Sequence, residues 1–514
     1  MKPLTTSIYT FSDLIRGGYQ YVDKTAQIYP LVSEYKGQFF LSRPRRFGKS
    51  LLISTLKFIF LGQRELFEGL AIAETDYDWP VYPVIHLDLG STVAEDVEDT
   101  KTALLELIDE QAADYGIELS NSLLQSRFRE LIRKMAKDAP VVVLIDEYDK
   151  PLLGHIGRES AKDIQALLKQ FYSVIKTTDS FQRFVLLTGV SKFSRVSVFS
   201  DLNNLTDLTM SRQAATLLGY THEEVEANFP DYIQRLADDQ GITVEQVLQT
   251  LRDWYDGYRF EETASTVYNP VSVMKCFQER KFQNYWFETG TPTFLLETLK
   301  RQPMDLEEVK VPEISFSSFE PADVHPLPLL LQTGYLTIKD YQVIGRRREY
   351  TLGYPNFEVE ESFSAWLAQD FSNLSAPTLN SALHNVVGAL CEGRVDDMLE
   401  HLKTFFSSVP NTITLDNEKY YQTIFFTVFK LIGTMIEAET STNIGRIDAV
   451  IKTESDIYIF EFKIHGTAEE ALDQIHEKQY AAPYADDLRS VTLVGAAFDP
   501  ETRNIGAWVT EPAG

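Results

Sequence analysis

Residues 43–50, RPRRFGKS, bring a glycine, a lysine and a hydroxyl together where a short apolar run gives way to a helical pattern. That combination suits a polyphosphate. Backbone N–H groups at a helix start point at the anion, Lys49 reaches the β- and γ-phosphates, and the Ser50 hydroxyl binds Mg²⁺. The usual spacing is G-x-x-x-x-G-K-[ST]; Gly48, Lys49 and Ser50 match it, and Arg43 stands where the first glycine belongs. Arg43, Arg45 and Arg46 supply guanidinium groups that pair with phosphates bidentately or form a solvated basic turn. Downstream, VVVLIDE (141–147) ends an apolar run in two acids. Asp146 suits a Mg²⁺ held through water, and Glu147 suits orienting or polarising an attacking water. LTGVSK (187–192) ends another run with Thr188 and Ser191, placed either to sense a γ-phosphate or simply to turn the chain. Together these segments point to ATP.

A second chemistry lies near the other end. GRIDAVI (445–451) and IYIFEFK (457–463) both alternate, with a turn-like KTESD between them. If Lys452 and Ile457 close a hairpin, Asp448 falls opposite Glu461, and such neighbours lie about 4.5–5.5 Å apart at Cβ. Two carboxylates at that range can share Mg²⁺ or Mn²⁺. The metal would activate water and stabilise charge on a scissile phosphate, and Lys463, on the face of Glu461, would position the water. Thr467 and Glu470 have capping-box spacing, so a helix starts at once. It brings Gln474, two turns in, and Tyr480, near its end, within reach of the site. A half-exposed hairpin with ordinary surface charges is the plainer alternative.

The elements that must hold these residues follow from periodicity. Leu52, Leu56, Ile59 and Phe60 form one helix face, and runs at 38–42, 84–89, 140–150 and 183–192 read as buried strands. Strands alternating with helices predict a parallel sheet covered on both faces. Residues 210–300 read as helical, 301–330 as a linker rich in proline and acids, and 378–436 as helical; the last 70 run strand–strand–helix–strand. The expected division is 1–210, 211–325 (a helical extension), 326–377 (a connecting region) and 378–514. A chain of 514 residues, 44% hydrophobic and 24% charged, suits several soluble globular pieces. Its net charge of -27 requires any nucleic-acid contact to be local. Two cysteines permit neither a zinc cluster nor a disulfide framework and fit a reducing cytoplasm. Neither a secretory signal nor a membrane span is expected.

The motifs SRPRRFGKSLLISTL, VVVLIDEYDKPL, LTGVSKFSRVSVFSDLNNL, WYDGYRF with VYNP, LLQTGYLTI, YPNFEVEESF and GRIDAVI…IYIFEFK…ALDQIHEKQYAAPY occur in that order. In this the chain resembles, from about residue 5 to 500, bacterial proteins that join an AAA-ATPase-like domain to a PD-(D/E)XK nuclease-superfamily domain. The resemblance implies an α/β fold: a P-loop NTPase parallel sheet with a helical extension, plus a C-terminal α/β nuclease-like domain. It implies an ATP site at Lys49, Ser50, Asp146 and Glu147 and a nuclease site at Asp448, Glu461 and Lys463. Glu418 matches an acid on the first helix of the nuclease fold, a further metal ligand, and Gln474 and Tyr480 match its later helix. Arg43 in place of the first glycine is shared with the family. The expected activity is an ATP-regulated, metal-dependent nuclease cutting DNA or RNA, with ATP, Mg²⁺ and, at the nuclease site, Mn²⁺ as alternative cofactor. The rival is an ATP-dependent switch whose C-terminal domain binds nucleic acid or a protein partner without cutting. The acidic surface also suits a protein partner or a second copy of the chain.

Overall fold

Continuous apolar runs make the strands of the first sheet: Gly37–Ser42 (β1), Val84–Asp88 (β2), Val141–Asp146 (β3) and Gln182–Gly189 (β4), with the short Thr206–Asp207 (β5). Every residue of β1, β3 and β4 is buried, as strands covered on both faces require. They pair in parallel in the order β2-β3-β4-β1-β5. The structure, a computed structural model, describes residues 1–92, 95–156, 158, 160–192, 204–286, 306, 309–313, 326–372, 374–408, 427–433, 437–443, 446–463, 466–499, 501–502 and 504–513. Two compact units are distinguished: Met1–Thr298 with Leu306–Val359, and Leu299–Asp305 with Glu360–Gly514.

In the first unit, Phe11–Arg16 (α1) and Thr25–Ser33 (α2) precede β1, and Lys49–Phe60 (α3) follows it. The expected stripe of α3, Leu52, Leu56, Ile59 and Phe60, is buried. Val97–Asp114 (α4), Leu124–Met135 (α5), Lys150–Leu153 (α6) and Ser160–Thr177 (α7) complete the helices around the sheet. His222–Asn228 (α8), Pro230–Gln240 (α9), Val244–Tyr255 (α10) and Pro270–Glu279 (α11) then form a helical group. Capping boxes at Thr221/Glu224 and Thr243/Gln246 start α8 and α10, and Asn269 of the VYNP motif caps α11. This group has its own core, into which the leader residues Leu4 and Val22 pack. The tail of the segment read as a linker is ordered differently: Pro326–Thr333 is a helix (α12), its first proline sitting where the missing N–H costs nothing. Val309–Pro312 (β6), Thr337–Ile344 (β7) and Arg347–Gly353 (β8) form a small antiparallel sheet in the order β6-β8-β7.

Phe357–Ser372 (α13) crosses from the first unit into the second. The second unit continues with Ala376–Cys391 (α14) and Val395–Ser407 (α15), then Glu437–Asn443 (β9), Arg446–Lys452 (β10), Asp456–Lys463 (β11), Ala468–Glu477 (α16), Ser490–Asp499 (β12) and Asn504–Pro512 (β13). The sheet order is β13-β12-β11-β10-β9. Among the described strands of this sheet only β11 and β12 pair in parallel, and α16 is the crossover such a pair needs. β11 lies at the centre and is buried on both faces. Ile457 and Ile459 pack with Leu472 and Ile475 of α16, while Phe460 and Phe462 meet Phe429 on the other side.

Candidate functional sites

The phosphate loop is shaped by its ends. Arg43 N–H donates to the Gly189 carbonyl (3.1 Å) and the Ser42 hydroxyl to that of Val190 (2.6 Å), so the loop leaves β1 tied to the end of β4. Gly48 then takes φ 94°, a left-handed conformation that glycine adopts without penalty, and α3 starts behind it with no side chain capping its N-terminus. Among the described residues no side chain accepts from the first-turn amides, the arrangement an anion completes. The Lys49 ammonium is buried and donates to the loop carbonyls of Arg43 (3.0 Å) and Pro44 (2.9 Å). Burial pulls its pKa down, against the pull of Asp146, Glu147 and Asp149.

A cavity of about 840 Å³ is lined by Arg45, Arg46, Gly48, Lys49, Ser50, Asp146 and Glu147, so the structure brings all these residues together. Because β4 lies between β1 and β3, its end stands between the loop and the acids. There Thr188 donates to Asp146 (2.5 Å), and Ser191 donates to Asp149 from both its backbone N–H (2.7 Å) and its hydroxyl (2.5 Å). Both hydroxyls are buried against carboxylates. Glu147 has φ 50°, an uncommon value for a residue with a Cβ, and its carboxylate lies beside Gly90, where an added Cβ would stand 3.2 Å from it. Burial raises the Glu147 pKa, opposed by Lys49 and Lys150.

Arg43 does not line this cavity. Its guanidinium is buried, donates to the carbonyls of Ser42 (2.8 Å), Thr209 (2.7 Å) and Ala214 (2.7 Å), and lies 4.1 Å from the centre of the Phe260 ring. Burial pushes its pKa down to about 9. Phe47 points the same way, edge-on to Tyr258 at 4.8 Å and Phe260 at 5.4 Å. The WYDGYRF motif thus packs on the reverse side of the loop. Gly257 inside it has φ 103°, and a Cβ there would stand 2.0 Å from the Pro355 carbonyl oxygen. Arg46 donates to the Tyr285 carbonyl (2.9 Å), and the Tyr285 and Trp286 amides donate to Glu358 of α13 (2.6 and 2.9 Å).

Residues that sequence reasoning missed also line the cavity: His86, Asp88 and Gly90 at the end of β2, Tyr9 and Tyr21 from the leader, and Lys275 from α11. Parallel pairing sets Asp88 beside Asp146. The available signal was polar residues inside the otherwise apolar VIHLDLG.

In the second unit the register pairs Asp448 with Glu461, as the hairpin count predicts. The side chain of Asp448, and Glu418 altogether, lie outside the described residues. Glu461 is fully buried (0% exposed), with the Lys463 ammonium 3.9 Å away. The odd-numbered residues of β11 face α16, so Glu461 and Lys463 extend the row begun by Ile457 and Ile459. Lys463 donates to the Gln474 side chain on α16. The capping box that starts this helix is formed, Glu470 N–H donating to the Thr467 hydroxyl at 3.2 Å. Tyr480 packs against the apolar cluster of the sheet. Gly495 on β12 pairs with Glu461, and a Cβ there would stand 2.3 Å from the Ala468 carbonyl oxygen. That bare position lets α16 lie close enough for Gln474 to reach Lys463.

Residues 5–199 match a family model described as predicted AAA-ATPase, and residues 416–508 match one described as the PD-(D/E)XK nuclease superfamily. The chain is 37% identical, over 532 aligned residues, to an "Uncharacterized protein in vnfD 5'region" of Azotobacter chroococcum mcd 1, covering 100% of this chain and 99% of the relative. The chain belongs to the AAA-ATPase-like family with a C-terminal PD-(D/E)XK nuclease-superfamily domain. The motif resemblance names the same two domains in the same order. Among solved structures, the Aeropyrum pernix ORC2 protein in ADPNP–ADP complexes aligns over 67% of this chain and 93% of that one, at 12% identity and a TM-score of 0.25, a likeness too slight to bear on fold or function. Among the described residues of this AAA-ATPase-like chain, no helix is long and apolar enough to cross a membrane.

Proposed function

We propose that the protein is an ATP-regulated, metal-dependent nuclease. The observation that carries this reading is the row on β11: a wholly buried carboxylate, Glu461, beside Lys463 and Gln474, with Asp448 across the ladder. A buried carboxylate is costly unless charge compensates it, and a second acid in register raises that cost. This donor set fits a hard divalent cation, Mg²⁺ or Mn²⁺, held by Asp448 and Glu461. Such a cation, when bound, lowers the pKa of a water and stabilises charge on a phosphodiester. Lys463 orients that water or steadies the developing negative charge, and Gln474 holds the lysine in place.

In the first unit, the uncapped start of α3, Lys49 and the guanidinium groups of Arg45 and Arg46 bind the phosphates of ATP. Ser50 and Asp146 hold the accompanying Mg²⁺, with Thr188 fixing the Asp146 carboxylate. Glu147 orients the attacking water. Burial raises its pKa above the ordinary carboxylate value, which makes it a stronger base than a solvated carboxylate.

The test is a cleavage assay on single- and double-stranded DNA and RNA, with Mg²⁺ or Mn²⁺ and with or without ATP. Glu461→Gln is expected to abolish cutting and leave ATP binding, followed by calorimetry, unchanged. Lys49→Ala is expected to abolish ATP binding and ATP's effect on cutting. A wild-type chain that binds nucleic acid and never cuts would replace this reading with the switch.

A further inference from the structure

The sheet β6-β8-β7 plays no part in either site. Its hairpin β7–β8 nevertheless carries the one run of three successive basic residues in the sequence, Arg346–Arg347–Arg348, in a chain whose net charge is -27. Gly345 and Arg346 form a two-residue turn closed by the Ile344–Arg347 pair, and Gly345 has φ 65°, as the first central position of a tight hairpin turn asks.

Register then sorts the tip. Tyr341, Val343, Arg348 and Tyr350 share one face: Tyr350 is buried, and Arg348 is held by Glu262 at 2.8 Å. Gln342, Ile344, Arg347 and Glu349 share the other. Arg346 at the apex and Arg347 on that outer face are exposed and have no hydrogen-bond or ion-pair partner among the described residues. Beside them Ile344 is 57% exposed and Val343 62% exposed. Exposed branched aliphatics next to unpaired arginines, with the third arginine anchoring the ribbon, describe a contact surface rather than a solvated turn.

We propose that this hairpin is a contact for duplex DNA. Charge complementarity selects a polyanion, because the tip is a local cationic island on an acidic chain and phosphates are what unpaired guanidinium groups grip best. Shape selects the B-form duplex. Its major groove is about 12 Å wide and admits a two-stranded ribbon, whereas that of A-form RNA is too deep and narrow for side chains to read. Arg346 and Arg347 reach the phosphates or base edges, and Ile344 offers an apolar contact of the kind a thymine methyl accepts. The inference rests on the nuclease reading of the second unit and adds where, and on which duplex, the chain takes hold.

The experiment is a fluorescence-anisotropy titration of the full-length chain with a labelled DNA duplex, in EDTA to prevent cutting and across a series of salt concentrations. The double variant Arg346→Ala/Arg347→Ala is compared with wild type, its thermal midpoint and ATP affinity serving to show that the fold is intact. Each lost phosphate contact removes about 0.9 from the slope of log K against log salt, so the double variant should lose about 1.8 and bind roughly tenfold more weakly. Equal affinity and slope in the two proteins would overturn the hairpin's role, and Glu461-dependent cutting by both would leave the nuclease reading standing. Absence of both binding and cutting on every nucleic acid would remove both. Hairpin-dependent binding of duplex RNA as tight as that of DNA would overturn the DNA assignment. So would a change of oligomeric state, with DNA affinity unaltered, in the double variant.

Discussion

Arg43 occupies the position where phosphate loops of the usual pattern have glycine, and its guanidinium bridges three carbonyls behind the loop while stacking on Phe260. Restoring the glycine should therefore weaken the protein. Arg43→Gly leaves those carbonyls without their donor and is expected to lower unfolding free energy by about 3 kcal/mol, read by chemical denaturation. A variant as stable as wild type would show that water replaces the arginine. Glu358 carries a different prediction. Burial raises its carboxyl from 4.5 to about 7, against the amides of Tyr285 and Trp286 and the Ser272 hydroxyl that favour the charged form. Between those values the unfolded chain releases the proton while the folded chain keeps it. Stability should thus fall as pH rises through that interval and level off above it, a change of about 3 kcal/mol. Glu358→Gln should flatten this part of the profile, and an unchanged slope would assign the effect to another group. At this scale the sequence was a good guide to residue type and a poor one to direction. Lys49, Ser50 and Asp146, singled out from two short motifs, do line one cavity. That Arg43 turns away, that Glu147 adopts a left-handed backbone, and that Thr188 and Ser191 bond acids are outcomes of packing between segments far apart in the chain.

Most elements were legible because their patterns are unambiguous. β1, β3 and β4 are unbroken apolar runs, α3 shows its stripe, and α16 announces itself by its capping box. The β10–β11 register also followed from sequence, since a short turn leaves few ways to close a hairpin. Strand order did not follow, because nothing local says that β4 comes between β1 and β3. The role of Gly495 was likewise hidden, as it depends on how closely α16 crosses β12. That closeness yields a prediction for the helix as a unit. A methyl group at Gly495→Ala meets backbone atoms of Ala468 and Leu472 that cannot yield singly, so the helix must lift. The variant should lose about 1–3 kcal/mol, and Gln474 should part from Lys463. Cutting should then fall sharply while ATP affinity holds, measured by cleavage assay and calorimetry. Full activity would mean that the helix tolerates the shift and that Gln474 does not set the lysine's position.

Across the whole molecule, the acidic balance opposes any polyanion, and on the function proposed above the chain must approach a nucleic acid through restricted patches and bound cations. The sequence indicated two chemistries at opposite ends of the chain. It could not indicate that the end of α12 and the start of β7 fold against the reverse side of the phosphate loop, because that placement rests on distant meetings such as Gly334 with Pro44 and Thr337 with Arg259. The helix α13 has a further consequence. Its opening residues, Phe357–Val359, belong to the first unit and the rest to the second. A protease or a stop codon acting at that boundary would leave Glu358 on a stub shorter than one helical turn, where no helical bond repays the fixing of the backbone. The Tyr285 and Trp286 amides would lose the carboxylate that receives them. The first unit set loose by such a cut would thus be damaged in the strand of hydrogen bonds that begins at Arg46, and limited digestion that releases it intact must cut further along, beyond the end of the shared helix.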